Sequence, residues 1–320
     1  MAEGRGRTAS QMGEFALVDA ITARFAQGTH VQVGPGDDAA VVDVPTGAVV
    51  ASVDLLLQDR HFRLDWSSAT DIGHKAAAAG MSDINAMGGV ATALLVGLGC
   101  PSDIDSTWLL ELADGIAAEA DQVGASVVGG DLTSAPAVAM SVTVLGVCEH
   151  GVVRRAGARQ GDVLALAGRQ GWAGAGFAVL TRGFRSPRAV VDAHRQPHPP
   201  YPAGPVAARL GATAMIDVSD GFLQDIGHLA SASGVAIDVE SARLDVAEQL
   251  QTVGAAMGVD PMRFVLTGGD DYGLVATFPP GTELPEIWRP VGRVLADGDP
   301  GVVTVDGRPY PEAAGHRHFR

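Results

Sequence analysis

The sequence predicts an α/β protein with two domains, and three observations support this. The chain has 320 residues, more than the ~100–200 residues of a typical single domain. Apolar strand-like runs alternate along it with segments of helical periodicity. A strand-like run followed by two glycines and an aspartate occurs at 125–131 and recurs at 264–270, which suggests two halves of similar construction. We therefore expect one domain at residues 1–150 and a second at residues 151–320.

Composition and charge exclude several classes of protein. Hydrophobic residues make up 47% of the chain, and its net charge is −15. The first value supplies an ample core, and the second argues against nucleic acid or an anionic membrane as a partner. Small anionic substrates would then have to be bound through metal ions or local arginines. No apolar run reaches about 18 residues, so no membrane-spanning helix is expected.

The cysteines and the first residues bear on location. Cys100 and Cys148 are too few for a disulfide framework, which favours a reducing compartment. Residues 1–10 are polar and basic, and no signal peptide is visible in them. We therefore expect a cytoplasmic protein.

Three helices are expected in the first half. Residues 13–27 place apolar side chains at helical spacing. Ser68 or Thr70 caps an Ala-rich helix that runs to Met87 and stops at a glycine pair. Ser102 caps a third helix with an apolar face.

Five apolar runs in the first half are expected to be strands. Near-continuous apolar runs are typical of strands that are buried on both faces. The runs occupy residues 39–44, 48–57, 90–98, 125–128 and 138–148.

The second half repeats these signals. Helices are expected at 177–180 and from the 217–221 turn to Ala232. The proline-rich residues 198–205 are expected to be an extended connection, because proline disrupts helix interiors. Strands are expected at 163–167, 214–217, 264–266, 291–295 and 302–305, the last followed by an Asp306-Gly307 turn.

An acidic turn from Gly34 to Ala40 is the stretch around which the first half is organised. Glycine and proline force a tight turn, and Asp37 and Asp38 then enter a strand with their side chains on opposite sides. Aspartate is common in turns, so a purely structural role is the alternative. Other aspartates recur in similar settings, which points to a shared ligand.

Asp54 and Asp83 lie where a carboxylate is costly. Asp54 interrupts the apolar run 48–57, and a buried charge is tolerated only when it is paired or bound to a metal. It is therefore either a metal ligand or the partner of an arginine. Asp83 falls in the last two turns of its helix. A negative charge there interacts unfavourably with the helix dipole and destabilises the helix by about 0.3–1 kcal/mol.

Three further aspartates follow strands. Asp131 comes after a glycine pair at the expected carboxyl end of a strand, where ligands gather in α/β proteins. Asp217 ends a strand, and Ser219 and Asp220 begin the next helix, either as plain caps or as ligands. Two carboxylates would repel a bare phosphate at this helix N-terminus, whereas a phosphate bridged by a metal ion is compatible with them.

An oxygen-only ligand set favours hard cations such as Mg²⁺, and several aspartates imply more than one ion. The inference is nucleotide-phosphate chemistry. No P-loop, protein-kinase motif set or Ser-His-Asp arrangement is found. Arg155 is either a phosphate clamp or a solvated loop residue. Residues 168–176 hold four glycines and resemble a phosphate-cradling turn, although glycine patterns alone are weak evidence.

Seven short motifs span nearly the whole chain. They are Gly36-Asp37-Asp38-Ala39-Ala40, Ser52-Val53-Asp54 with His61-Phe62, Ser82-Asp83-Ile84-Asn85-Ala86-Met87-Gly88, Gly129-Gly130-Asp131, Arg155-Ala156-Gly157-Ala158, Asp217-Val218-Ser219-Asp220-Gly221 and Gly268-Gly269-Asp270-Asp271-Tyr272. In this order they resemble the thiamine-monophosphate kinases, members of the aminoimidazole ribonucleotide synthetase-like superfamily.

The resemblance implies a fold and an activity. The fold is a two-domain α/β (α+β) arrangement with an N-terminal mixed sheet that forms a barrel across a homodimer and a C-terminal α/β domain that closes the nucleotide cleft. The activity is ATP-dependent phosphorylation of thiamine monophosphate to thiamine diphosphate. The γ-phosphoryl group is transferred directly and in line, with several Mg²⁺ ions and without a covalent or acid–base residue.

The resemblance also implies residue roles. The metal ligands are Asp37, Ser52, Asp54, Asp83, Asp131, Asp217 and Asp220. The ATP-binding residues are Gly130, Asp131, Arg155 and Ser219. The residues that bind thiamine monophosphate are His61, Asp270 and Phe319.

This sequence departs from the family pattern at several positions. The family usually has Glu at the positions of Asp270 and Gly273, and an aromatic neighbour of ATP where Ala113 stands. The C-terminal ending reads His316-Arg317-His318-Phe319 rather than aromatic-Asp-His-Phe. These departures bear on the substrate pocket and leave the metal ligands unchanged.

Rival functions come from the same superfamily and from outside catalysis. A cyclo-ligase of purine synthesis is one alternative, and a non-catalytic nucleotide-binding regulator is another. A selenophosphate synthetase would need a reactive Cys or Sec near its N-terminus, and no cysteine precedes Cys100. The related hydrogenase-maturation enzyme would need a cysteine as its last residue, where this sequence has arginine. Both alternatives are therefore disfavoured.

Overall fold

The computed structural model describes residues 8–12, 14–33, 41–44, 47–312 and 314–315. The chain forms two compact units. Unit 1 contains residues 1–84 and 90–147, and unit 2 contains residues 85–89 and 148–320.

Unit 1 combines helices with a mixed sheet, as predicted. Its helices are α1 (Ala9–Met12), α2 (Glu14–Thr22), α3 (Ala69–Ala86, whose last two residues belong to unit 2) and α4 (Ser106–Asp121). Its strands are β1 (Val31–Val33), β2 (Val41–Val42), β3 (Val50–Leu57), β4 (Val90–Cys100), β5 (Ser126–Ser134) and β6 (Ala139–Val147).

The main sheet of unit 1 has the order β3-β6-β4-β5. Its β3–β6 and β6–β4 pairs are antiparallel, and its β4–β5 pair is parallel. Along β3, side chains alternate between a protected face and an open one, as a strand requires. Val53 and Leu55 lie on the open face and are 62% and 56% exposed. One face of the sheet thus presents apolar side chains to its surroundings.

Helix α3 begins as the sequence predicts. Ser68 and Asp71 form a reciprocal capping box, in which Asp71 N donates to Ser68 Oγ (3.2 Å) and Ser68 N donates to Asp71 Oδ2 (2.9 Å). The Ala-rich segment Ala76–Ala79 is buried. Farther along, a Cβ atom on Gly80 would lie 2.7 Å from Val144 Cγ2. Small residues thus allow α3 to lie close against the sheet.

Helices α3 and α4 cross at two glycines. A Cβ atom on Gly73 would lie 2.2 Å from the carbonyl oxygen of Leu112, and one on Gly115 would lie 2.2 Å from that of Thr70. Because real Cβ atoms do not approach backbone oxygen so closely, this crossing requires both residues to lack a side chain.

Unit 2 is built on a larger sheet. Its strands are β7 (Val163–Ala167), β8 (Ala214–Asp217), β9 (Ile237–Val239), β10 (Leu274–Phe278), β11 (Arg289–Val294), β12 (Val303–Val305) and β13 (Arg308–Pro309), in the order β13-β12-β9-β11-β7-β10-β8. Its helices are α5 (Trp172–Thr181), α6 (Arg188–Arg195), α7 (Ala203–Arg209), α8 (Phe222–Ser233), α9 (Glu248–Met257) and α10 (Met262–Thr267), with a 3-10 turn at Ser241–Arg243.

The sheet of unit 2 is mostly antiparallel, and only the β12–β9 pair is parallel. Its core contains small alanines around two aromatic side chains. Phe278 and Trp288 meet edge to face with ring centroids 5.3 Å apart, and Trp288 Nε1 donates to Ala203 O (3.2 Å). The indole polar group is thus satisfied inside an apolar core.

Three expectations about the elements were wrong. Ser102 does not cap α4, because Asp105 is the N-cap and accepts from Thr107 N. Residues 264–266 belong to helix α10 and not to a strand, since a three-residue apolar run does not discriminate between the two. The predicted extended connection 198–205 ends early, because α7 begins at Ala203 and holds Pro205 in its first turn, where the missing N–H costs nothing.

In the part of the chain that the structure describes, no helix is long and apolar enough to cross a membrane.

The glycine crossing yields a matched pair of substitutions. Gly115→Ala should lower the free energy of unfolding by about 3 kcal/mol, because its methyl group has no room against the backbone of Thr70. Gly227→Ala, in the middle of α8 with its nearest neighbour 3.9 Å away, should raise it by about 0.5–1 kcal/mol through helix propensity. Urea unfolding followed by circular dichroism measures both. Equal effects of the two substitutions would contradict the crossing.

Candidate functional site

Three predicted metal ligands lie together in unit 1. Ser52 and Asp54 occupy the protected face of β3, and Asp83 lies on α3. Ser52 Oγ donates a hydrogen bond to Asp83 Oδ2. Asp54 faces α3 at Gly80, where an added Cβ would lie 3.6 Å from Asp54 Oδ2. The structure thus brings a hydroxyl and two carboxylates to one side of the β3–α3 interface.

The carboxyl group of Asp54 is perturbed by this placement. Burial, and secondly the negative charge of Asp83, raise the pKa of Asp54 from 3.8 to about 6. No arginine contributes to this shift, so the alternative of a salt bridge is not supported. A largely buried carboxyl group with a second carboxylate beside it is a favourable environment for a hard cation.

His61 lies just beyond β3 in a tight turn. Its Nδ1 accepts from Leu57 N (3.0 Å), so in the neutral imidazole the proton lies on Nε2. Lys75 Nζ donates to the carbonyl oxygen of His61 (3.3 Å). Lys75 is only 3% exposed and is the only lysine of the chain. The sequence did not predict this contact between Lys75 and His61, although a single lysine inside an apolar helix was a visible signal.

Gly130 and Asp131 lie inside β5, and not beyond its end as the sequence predicted. The strand continues to Ser134 because glycine tolerates a close neighbour, and a Cβ on Gly130 would lie 2.0 Å from Val96 O. Strands β3 and β5 are the two edges of the sheet, and three strand spacings separate them by about 14 Å. Asp131 is exposed, and the sheet order places it away from Asp54 and Asp83.

An apolar cavity of about 170 Å³ lies beside Gly130 in unit 1. Helices α2 and α4 and strands β4 and β5 form its walls. Its lining includes Ile21, Phe25, Leu109, Ala113, Ile116 and Gly130. A flat apolar ring suits such a cavity.

In unit 2, the turn between β8 and α8 is wrapped around an internal carboxylate. Asp225 Oδ2 accepts from the backbone N–H groups of Ser219 (3.1 Å), Asp220 (3.1 Å) and Gly221 (3.0 Å). Burial, opposed by these bonds and assisted by the charge of Asp220, raises the pKa of Asp225 to about 7. Because the protein's own carboxylate fills this anion site, a phosphate does not fit there.

The glycine-rich segment 168–176 is not a phosphate cradle either. Asp271 accepts from Gly171 N (2.6 Å) and Ala173 N (2.9 Å) at the start of α5. Burial raises the pKa of Asp271 to about 7, against these two bonds and the charge of Arg169. Sequence reasoning missed the capping roles of Asp225 and Asp271. An acid in the first turn of a helix was the available signal for Asp225.

Asp270, the predicted substrate contact, lies in the loop 268–273 between α10 and β10. It has a left-handed backbone with a φ of 62°, and so does Tyr272 with a φ of 51°. Asp270 N donates to Ser219 O (2.9 Å), and Tyr272 N donates to Val218 O (3.0 Å). The structure thus joins the loop of Asp270 to the turn that carries Ser219 and Asp220.

Arg155 lies at the edge of β8. Its neighbour Arg154 accepts from Met215 N (3.0 Å), and its own carbonyl accepts from Ser233 Oγ (3.0 Å) at the end of α8. The Arg155 side chain is exposed. Asp217, by contrast, is buried at the end of β8.

Within the described ranges of the chain, one group of three His, Cys, Asp or Glu residues is compact enough to hold a metal ion. Asp220, Asp225 and His228 place one ligand atom each within 4.8 Å of one another. The predicted ligand Asp37 and the predicted substrate contact Phe319 lie outside the described residues.

Comparisons with known proteins agree with this architecture. Residues 36–148 match the family described as AIR synthase related protein, N-terminal domain, and residues 159–302 match its C-terminal domain. The thiamine-monophosphate kinase of Mycobacterium tuberculosis is 45% identical over 314 residues, which cover 98% of this chain and 93% of that protein.

Two solved structures are similar along nearly the whole chain. The thiamine-monophosphate kinase of Stenotrophomonas maltophilia K279a has a TM-score of 0.81 and 31% identity, and the match covers 93% of this chain and 98% of that one. AaThiL complexed with AMPPCP and TMP has a TM-score of 0.80 and 28% identity, over 99% and 100% of the two chains.

The perturbed carboxyl of Asp54 makes a testable contribution to stability. Its pKa is higher in the folded than in the unfolded protein, so its stabilising contribution is complete below pH 3.8 and is lost as the pH rises through about 6. In EDTA at pH 8, Asp54→Asn should therefore raise the free energy of unfolding by about 1–2 kcal/mol, and the gain should shrink towards pH 4.

Chemical unfolding at the two pH values measures this difference. The exposed Asp103→Asn is the matched control and should stay within about 0.5 kcal/mol of wild type. A loss of stability for Asp54→Asn at pH 8 would show that another group neutralises Asp54.

Proposed function

Since the chain belongs to the AIR synthase related family and, within it, to the thiamine-monophosphate kinases, we propose that it phosphorylates thiamine monophosphate with ATP to give thiamine diphosphate. The transfer is direct and in line, and is assisted by Mg²⁺. The observation that carries this proposal is the perturbed Asp54 beside Asp83, on a chain 45% identical to a thiamine-monophosphate kinase.

The residues present fit Mg²⁺. Asp54 and Asp83 supply carboxylate oxygens; burial and the charge of Asp83 make ionisation of Asp54 costly, and a divalent cation would remove that cost. In unit 1 we assign Asp37, Ser52, Asp54 and Asp83 as ligands, with Ser52 orienting Asp83 through its hydroxyl. We assign Asp131 as a ligand of a different Mg²⁺ ion, because about three strand spacings separate β5 from β3. In unit 2 we assign Asp217 and Asp220. The filled helix N-termini at Asp225 and Asp271 favour this assignment, because they exclude direct phosphate binding there.

Bound Mg²⁺ supplies charge neutralisation for the transferred phosphoryl group. The protein's own side chains hold and orient the reactants, and no covalent intermediate on the protein is required. The oxygen donors of Ser52, Asp54, Asp83 and Asp217 are carried by the regular elements β3, α3 and β8, which keeps them in place.

We assign Gly130 and Asp131 in unit 1 and Arg155 and Ser219 in unit 2 to ATP. We assign the nucleobase to the largely apolar cavity beside Gly130, which has Ala113 and Asp131 in its wall. AaThiL was solved with AMPPCP, which supports a nucleotide site in this fold. The exposed guanidinium of Arg155 suits a phosphate.

We assign His61, Asp270 and Phe319 to thiamine monophosphate. Because His61 Nδ1 accepts from Leu57 N, the neutral imidazole carries its proton on Nε2 and is held in one orientation beside β3. Asp270 offers a carboxylate on a constrained loop, and such left-handed non-glycine residues cluster at functional sites. Asp270 is one methylene shorter than the Glu that the family pattern has.

We also propose that two copies of the chain pair through the open face of the unit 1 sheet, and that the enzyme is cytoplasmic. Val53 and Leu55 on that face are more than half exposed, and apolar side chains grouped on a sheet face favour burial against a partner. Free Cys100 and Cys148 are consistent with a reducing compartment.

The decisive experiment is a turnover assay with ATP, Mg²⁺ and thiamine monophosphate. Wild type should form thiamine diphosphate and ADP in equal amounts, and EDTA should abolish the reaction. Asp54→Asn should lower kcat by about 10²-fold or more, because it removes a charge that the proposed ions require. Its fold should be retained, as thermal unfolding verifies.

Asp103→Asn is the control for this assay and should keep wild-type turnover. Diphosphate formed without ADP would reject the kinase. Absence of any product from wild type would favour the non-catalytic regulator, and turnover only with a purine precursor would favour the cyclo-ligase.

The homodimer has its own test. Analytical ultracentrifugation should return twice the mass of one chain for wild type, and the double substitution Val53→Lys with Leu55→Lys should return one chain, because it buries charge in the interface. Val152→Lys replaces an equally exposed valine, at 55%, in unit 2 and should leave the dimer intact. A monomeric wild type would reject the pairing.

A further inference from the structure

The loop 268–273 has an unfavourable backbone that some interaction must hold. Asp270 and Tyr272 both have left-handed φ values, 62° and 51°, although neither is a glycine. Such a conformation is costly for residues with a side chain, and especially for a bulky one such as Tyr. Left-handed residues persist where their surroundings fix them from both sides.

Asp271, between these two residues, holds the loop from one side. The residue is 7% exposed, and its carboxylate accepts from Gly171 N and Ala173 N at the start of α5. These groups have no partner within the helix. A carboxylate that binds them is pulled by two charge-assisted hydrogen bonds and by the helix dipole.

The backbone of the β8–α8 turn holds the loop from the other side. Asp270 N and Tyr272 N donate to Ser219 O and Val218 O, and Val218 N donates to Gly273 O (2.8 Å). The second glycine of the loop permits this approach, since a Cβ on Gly269 would lie 2.2 Å from Ser219 O. The Asp271 carboxylate therefore bonds to the start of α5, while the backbone on either side of it bonds to the β8–α8 turn.

We propose that Asp271 is a positioning residue that sets the left-handed conformation of Asp270 and thereby the binding of thiamine monophosphate. This inference rests on the proposed function, in which Asp270 contacts that substrate. Asp271 does not touch the substrate in this account. It acts through the backbone of its neighbour.

Steady-state kinetics of Asp271→Asn test this role. The amide keeps one acceptor but turns an NH₂ group towards one of the two N–H donors, so the loop loses a restraint. The KM for thiamine monophosphate should rise about tenfold or more, while the KM for ATP should change by less than about threefold. Equal changes in both KM values, or none, would overturn the proposal.

A double-mutant cycle separates positioning from general stability. In an Asp270→Ala background, Asp271→Asn should change the KM for thiamine monophosphate by less than about twofold, because the group through which it acts is gone. An additive effect would show that Asp271 acts independently of Asp270 and would overturn the proposal. Should Asp271→Asn not fold, Asp271→Ser, which also keeps an acceptor, takes its place in the same cycle.

Asp306→Asn is the matched control. Asp306 also has a left-handed φ, 51°, and its carboxylate also accepts two hydrogen bonds, from Ser241 N (3.0 Å) and Ser241 Oγ (2.6 Å). The Asp306→Asn substitution should leave the KM for thiamine monophosphate and the KM for ATP at their wild-type values. Wild-type turnover is read first: inactivity with thiamine monophosphate rejects the proposed function, whereas normal wild-type turnover with an additive cycle rejects only the role of Asp271.

Discussion

The internal carboxylates Asp225 and Asp271 impose the constraint on which the chemistry of unit 2 depends. A helix N-terminus is a ready site for phosphate, and the turns before α5 and α8 present two of them. Both are already filled by an aspartate of the protein. Any phosphate that binds unit 2 must therefore use other groups. The exposed Arg155 and the aspartates Asp217 and Asp220 are the groups that the proposed function assigns there, and with a bound cation they would allow an acidic protein to bind an anionic nucleotide.

The carboxylates of Asp225 and Asp271 lower the stability of the fold near neutral pH, but they hold two loops in fixed positions. Burial raises the pKa of Asp225 and of Asp271 to about 7, so the folded protein holds their ionised forms at a cost near neutral pH. In return the β8–α8 turn and the loop 268–273 are held by hydrogen bonds at fixed positions. In unit 1, burial likewise raises the pKa of Asp54, and the negative charge of its neighbour Asp83 raises it further. Functional sites commonly carry such local cost, which the rest of the fold offsets.

The sequence predicted the parts of the site that local patterns encode. Asp54 interrupts an apolar run and does lie within β3, and Ser68 does cap α3, because alternation and capping depend on near neighbours. The pairing of Asp271 with Gly171 joins positions 100 residues apart, and no local pattern reports it. The edge positions of β3 and β5 are likewise set by sheet order. Sequence spacing therefore could not show that Asp131 lies strands away from Asp54.

The two glycine pairs, Gly129-Gly130 and Gly268-Gly269, suggest a structural repeat in the sequence, but they lie in different secondary structure. The pair Gly129-Gly130 lies inside a strand, whereas Gly268-Gly269 follows a helix, so the two stretches are not structural repeats. None of the four has a left-handed φ, so backbone freedom is not their shared purpose. A Cβ on the second glycine would in each case meet a backbone carbonyl, of Val96 at 2.0 Å or of Ser219 at 2.2 Å. The two Gly-Gly-Asp stretches therefore share a close backbone contact at their second glycine, which holds the adjoining aspartate beside another backbone segment.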